Sequence, residues 1–217
     1  MSSDRASAIA LIAGSAGLII ALGLHPSGRG LFDPEHYESA ARELIAVHSL
    51  ALACLPVLFF GALGLSRAMH PDDRFGLGAV VLYGFAMAGV MSAITFDGLV
   101  SPGLAGQINT STGTVGQGWR IAFNYNSMID QAFMRLFLVA SLAAIILWSF
   151  SFVRSKQFSR GLAIYGGILG TAGLTALFAG WMNRSPHLFG AAILGEAIWF
   201  VGAGVRLLQT EKAFEPS

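Results

Sequence analysis

The chain has 217 residues, 54% of them hydrophobic and 12% charged, with a mean hydropathy of +0.65 and a formal net charge of +1. Soluble domains carry about 25% charged residues, so an ordinary water-soluble globule is excluded, and the near-zero net charge removes any bulk electrostatic case for nucleic-acid binding. The single cysteine, Cys54, lies in an apolar run and excludes an internal disulfide.

A polar head, MSSDR, precedes the first apolar run at 6–24. That run is long for the apolar part of a cleaved signal peptide, so it reads as a retained helix. Residues 25–44 form a polar connection. Within it, Asp33-Pro34 predicts an N-cap followed by proline at the first helical position, with a short helix running on into the next span. The second span covers 44–65, with His48 near its start and Pro56 inside it, where a bend is expected. A short polar turn, with Arg67, His70 and Arg74, leads to the third span at 75–98. From Phe75 to Phe96 this stretch has no charge at all, and roughly 20 apolar residues suffice to cross a bilayer. Asp97 stands at its far end.

Residues 101–128 are rich in Gly, Ser, Thr and Asn and read as the longest loop. The fourth span covers 129–153 and contains Asp130 and Arg135. A basic turn follows, then a fifth span at 161–181 and a sixth at 187–208, with His187 at the start of the last and Glu196 inside it. The expected architecture is an all-α polytopic membrane protein. It is one transmembrane domain over 1–217, a bundle of about six helices.

Orientation follows from Lys and Arg in the short connections. Arg5, Arg67, Arg74, Arg154, Lys156, Arg160, Arg206 and Lys212 fall on one side, against Arg29, Arg42, Arg120 and Arg184 on the other. Both termini are therefore expected to be cytoplasmic, in a membrane of the bacterial inner (plasma) type. Small residues recur four apart at Ala10/Gly14, Ala13/Gly17, Gly84/Ala88, Gly166/Gly170 and Ala191/Gly195. Such rows let helices approach closely in lipid. The expected partners are membrane lipids, partner membrane subunits or a second copy of the chain, and no nucleic acid.

With this topology several ionisable groups share one depth near the outward face: His25, His48, Asp97, Asp130 and His187. Arg135 and Glu196 lie deeper. Ionisable groups inside a bilayer are costly and turn toward a partner, a cavity or the bundle interior. Three chemistries follow. His25, His48, Asp97 and His187 have the ligand types of a transition-metal site. His48 and His187, starting spans that run in the same direction, suit a haem held by two histidines. Asp97, Glu196 and Arg135 are the candidate catalytic groups, and Arg135 is expected to pair with Asp97 or Glu196. Each group also has a plain reading as an interfacial ring, a helix-end carboxylate or a packing ion pair. No P-loop, GxGxxG, GxSxG or HExxH pattern occurs.

Three functions fit: a ligand, metal or catalytic site for a hydrophobic or lipid-like partner; an accessory or assembly subunit of a membrane complex; and a small transporter with Glu196 as its proton-coupled carboxylate.

Overall fold

A computed structural model describes residues 3–26, 28–69, 73–155, 158–182 and 186–212. Among these residues there is no strand. The helices are α1 (Ser3–Leu24), α2 (Tyr37–Arg67), α3 (Arg74–Thr95), α4 (Ser101–Thr110), α5 (Gly113–Arg154), α6 (Arg160–Phe178) and α7 (Pro186–Lys212). A 3-10 turn occupies Gly28–Phe32, and a π-helical turn, Phe96–Val100, joins α3 to α4. Six helical units are long and apolar enough to cross a membrane. The bundle expected from hydropathy is therefore the fold. His70, Lys156 and Arg184 lie outside the described residues.

The expected loop at 101–128 is helical. The unit Arg74–Thr110 has 37 residues and α5 has 42. At about 1.5 Å per residue they reach roughly 55 and 63 Å, against a hydrocarbon core of about 30 Å. Both rise well beyond the bilayer at the end opposite the termini, where polar residues no longer oppose a helix. Pro102 sits in the first turn of α4, directly after the π-helical turn.

The protruding ends, with the start of α2, share a small core of Leu31, Ala41, Leu44 and Ala105. The Tyr37 hydroxyl donates to the Pro102 carbonyl at 2.9 Å, and the Asn109 amide donates to the Leu31 carbonyl at 2.9 Å. The cap expected at Asp33-Pro34 differs in detail. Asp33 accepts from the Glu35 backbone N–H and from the His36 ring, and the helix begins only at Tyr37. Pro34 belongs to a turn. The α2 helix continues through Pro56.

In the bundle α1 packs between α2 and α7, and α5 between α3 and α6. Glycine makes these approaches possible. A Cβ on Gly14 would stand 2.9 Å from the Leu58 backbone nitrogen, and one on Gly170 would stand 2.9 Å from the Leu142 carbonyl oxygen.

The half of the bundle nearer the termini is filled with aromatic rings. Trp148 and Trp199 stack at 5.7 Å, Phe152 and Phe158 at 4.2 Å, and Tyr83 and Phe200 complete the group. Buried indole N–H groups need acceptors. Trp148 donates to the Ser66 hydroxyl and Trp199 to the Leu162 carbonyl.

Candidate functional site

The site is built on the π-helical turn. A π-turn adds a residue to the helix and is frequent at functional sites. Here the Phe96 carbonyl accepts the backbone N–H of Ser101, which closes the turn. The same carbonyl accepts from the Asn126 side-chain amide at 3.0 Å and from the Ser101 hydroxyl at 3.1 Å, and Asn126 also donates to the Ser101 oxygen at 2.9 Å. Asn126 comes from α5 and is buried. The turn is thus braced from a neighbouring helix. Gly98, within the turn, faces the His48 ring so closely that no Cβ fits between them. This lets a buried imidazole lie flat against backbone.

His48 is 5% exposed. Its Nδ1 bonds the Leu44 carbonyl at 2.8 Å, and its Nε2 faces Asp97 Oδ2 at 3.0 Å. His25, just past α1, repeats the arrangement. Its Nδ1 bonds the Pro26 carbonyl at 3.0 Å, and its Nε2 lies 3.5 Å from the same Asp97 oxygen. The two rings meet edge to face at 4.9 Å. One ligand atom from each of the three residues lies within 4.8 Å of the others. Asp130, on α5, is near enough to act electrostatically on all three.

The protonation pattern follows from the carbonyls. A carbonyl oxygen only accepts, so both Nδ1 atoms carry hydrogen. In neutral imidazoles both Nε2 atoms then present lone pairs to a carboxylate that also only accepts. Two arrangements relieve this. Either a cation sits between the three groups, or the imidazoles take up further protons. The hydrogen bond to Asp97 raises the His25 imidazole above its ordinary value, with burial opposing. Histidines whose Nδ1–H is held by a carbonyl while Nε2 points at a shared centre have the outer-shell arrangement of metal ligands. A tetrahedral ion with bonds of about 2.0–2.1 Å holds its donors roughly 3.3 Å apart. The two Nε2–Asp97 distances, 3.0 and 3.5 Å, bracket that spacing, and all three donors lie within 4.8 Å of one another.

The cluster stands at the mouth of a cavity of about 670 Å³, which runs inward between the two halves of the bundle. Asp130 and Arg135 share the mouth. Leu55, Met87, Val90, Leu138 and Ile193 line the wall, and Tyr83, Phe200 and Glu196 lie at the inner end. Glu196 is 4% exposed and accepts from the Ser141 hydroxyl of α5 at 2.7 Å. Below it the aromatic group fills the interior.

The structure thus brings together His25, His48 and Asp97, and places Arg135 and Glu196 on the same cavity. It does not bring in His187, which is exposed on the first turn of α7 and lies outside both cluster and cavity lining. His48, the other member of the expected haem pair, has its two ring nitrogens engaged by the Leu44 carbonyl and by Asp97. Asp97 contacts the two imidazoles, Glu196 contacts Ser141, and Arg135 opens onto the space they share. Sequence reasoning missed Gly98, Asn126, Ser101 and Ser141. The one usable signal was a glycine beside a membrane aspartate, a mark of close backbone approach.

No protein-family model, curated protein or solved structure matches the chain.

Proposed function

We propose that this integral membrane protein holds a divalent transition metal, of the zinc or iron class, on His25, His48 and Asp97. The metal faces a lipid-like molecule whose apolar part occupies the cavity. Two imidazoles and one carboxylate are a ligand set of catalytic zinc and non-haem iron, where three protein groups leave a coordination position open. In this chain the three residues line the cavity, so a metal held by them would be placed to bind and polarise the ligand's polar head. With the termini cytoplasmic, as the loop charges imply, the mouth opens outward.

The observation that carries the reading is the pair of Nδ1–carbonyl bonds, which aim two Nε2 lone pairs at one carboxylate oxygen. The accessory-subunit reading calls for a filled interior, and a cavity of about 670 Å³ counts against it. The transporter reading calls for a path past Glu196 to the other face, where Trp148, Trp199 and Phe152 are fully buried in contact.

Elemental analysis of the full chain, purified in detergent without chelator and dialysed against zinc, tests the proposal. About one equivalent is expected to remain bound. His48→Ala and Asp97→Ala, each removing one ligand, are expected to lower retention by 10-fold or more. Retention unchanged in both variants would overturn it.

A further inference from the structure

The cavity has a second polar pole, and the metal reading does not use it. Glu196 and Ser141 meet at its inner end, both buried, on facing helices. Ser141 lies eleven residues along α5 from Asp130, which sits beside the metal cluster. At 1.5 Å per residue the two poles are about 16 Å apart along the bundle. Between them the wall is mostly hydrocarbon, with Leu55, Leu58, Met87, Val90 and Leu138, while Gln131 and Arg135 of α5 add polar groups toward the cluster.

A carboxyl group in such surroundings is expensive to retain, and a hydrogen bond between α5 and α7 needs no carboxyl. Ser141 engages one oxygen, Oε1. The group as a whole lines the cavity, so it is placed to meet whatever enters.

We infer that the ligand is polar at both ends: a bipolar amphiphile whose head lies at the His25–His48–Asp97 cluster and whose far end carries a hydroxyl group that donates to Glu196. This rests on the proposed function for the position of the head. Single bonds of about 1.5 Å advance an extended chain by roughly 1.25 Å each, so about 16 Å corresponds to a chain of about a dozen carbons with an oxygen at each end. Pockets of roughly 300–1,000 Å³ take molecules of this order. A ligand with a plain hydrocarbon tail would leave the Glu196 carboxyl facing methyl groups. A bipolar one satisfies it.

The test uses the full chain in phosphatidylcholine nanodiscs loaded with zinc. Retention of radiolabelled 1-dodecanol and of 1,12-dodecanediol is measured and corrected for uptake by empty discs. The diol is expected to bind about tenfold more tightly, the worth of one well-made hydrogen bond in a dry site. The shorter pair, 1-hexanol and 1,6-hexanediol, is expected to show no such preference, because the chain cannot reach both poles. Glu196→Leu is expected to abolish the diol preference. Glu196→Gln, which keeps a donor and an acceptor, is expected to preserve most of it.

If Glu196 only pins α5 to α7, Glu196→Leu lowers the melting temperature and leaves the preference intact, which overturns the inference. Equal binding of dodecanol and its diol by the wild type overturns it without any variant, as does a preference equally strong in the six-carbon pair. Zinc is measured on the same discs. Bound zinc with no diol preference overturns this inference alone. A Glu196-dependent diol preference without bound zinc overturns the metal reading and supports the bipolar ligand.

Discussion

Gly98 shows how one backbone position sets the site. His48 can lie against the π-turn only because residue 98 has no side chain. Gly98→Ala is expected to push the imidazole out of line with Asp97. It should lower stability by about 1–3 kcal/mol, the usual range for overpacking, and lower zinc retention with it, as thermal unfolding and elemental analysis would show. Asn126→Ala acts through another route. It removes the amide that ties the turn to α5, while the Phe96 carbonyl keeps the Ser101 backbone N–H and hydroxyl. The expected loss is about 1 kcal/mol, the net worth of an ordinary hydrogen bond.

At the exposed turn before α2, the hydrogen bond from His36, with that from the Glu35 N–H, holds the Asp33 carboxyl below its ordinary value. A carboxylate more acidic in the folded chain stabilises above its unfolded value of about 3.9. The turn should therefore be intact at pH 5 and loosen as the pH falls through the native value. Backbone NMR of residues 33–37 would follow this, and Asp33→Asn should remove the dependence. None of these partners was legible in the sequence. His25, His48 and Asp97 stood out because ionisable groups are rare at membrane depth. Gly98 and Asn126 did not, because glycine is common in spans and asparagine common in loops, and only the register of the π-turn makes either one matter.

The helices were legible where lipid is the solvent. Every backbone group must be satisfied within a span, so a long uncharged run such as Phe75–Phe96 has few alternatives. Beyond the bilayer that constraint lapses. The first part of α5 carries the polar sequence Gly113-Thr114-Val115-Gly116-Gln117-Gly118, and it is helical because it continues a long helix and packs on α4, without a hydropathy signal of its own. Helix contact was foreseen as rows of small residues, and the glycines of those rows do meet facing backbone at Gly14 and Gly170. The contrast within α1 can be measured. Gly14→Val would meet the Leu58 backbone, whereas nothing stands within 4 Å of a Cβ at Gly23. Gly14→Val should destabilise the detergent-solubilised protein by about 1–3 kcal/mol, and Gly23→Val should leave its thermal transition nearly unchanged.

At the scale of the whole molecule, the design is a bundle packed with rings in the half that bears the termini and hollow in the other. The hollow half holds the titratable groups at its mouth and one carboxyl at its floor. Depth along each span could be counted from the sequence, and so Asp97, Asp130, Arg135 and Glu196 were all assigned to this half. Azimuth could not be counted. His187 is exposed and lines no part of the cavity, while Ser141 looks like any small residue in a span and lies against Glu196.

Convergence of two imidazoles and one carboxylate on a metal ion can be read from the X-ray absorption spectrum of the zinc-loaded protein. Two imidazole nitrogens at about 2.0–2.1 Å, with oxygen completing a four-coordinate shell, and loss of the imidazole signature in His25→Ala/His48→Ala, are the predicted result. A shell of oxygen alone, or a spectrum that the double substitution leaves unchanged, would contradict it.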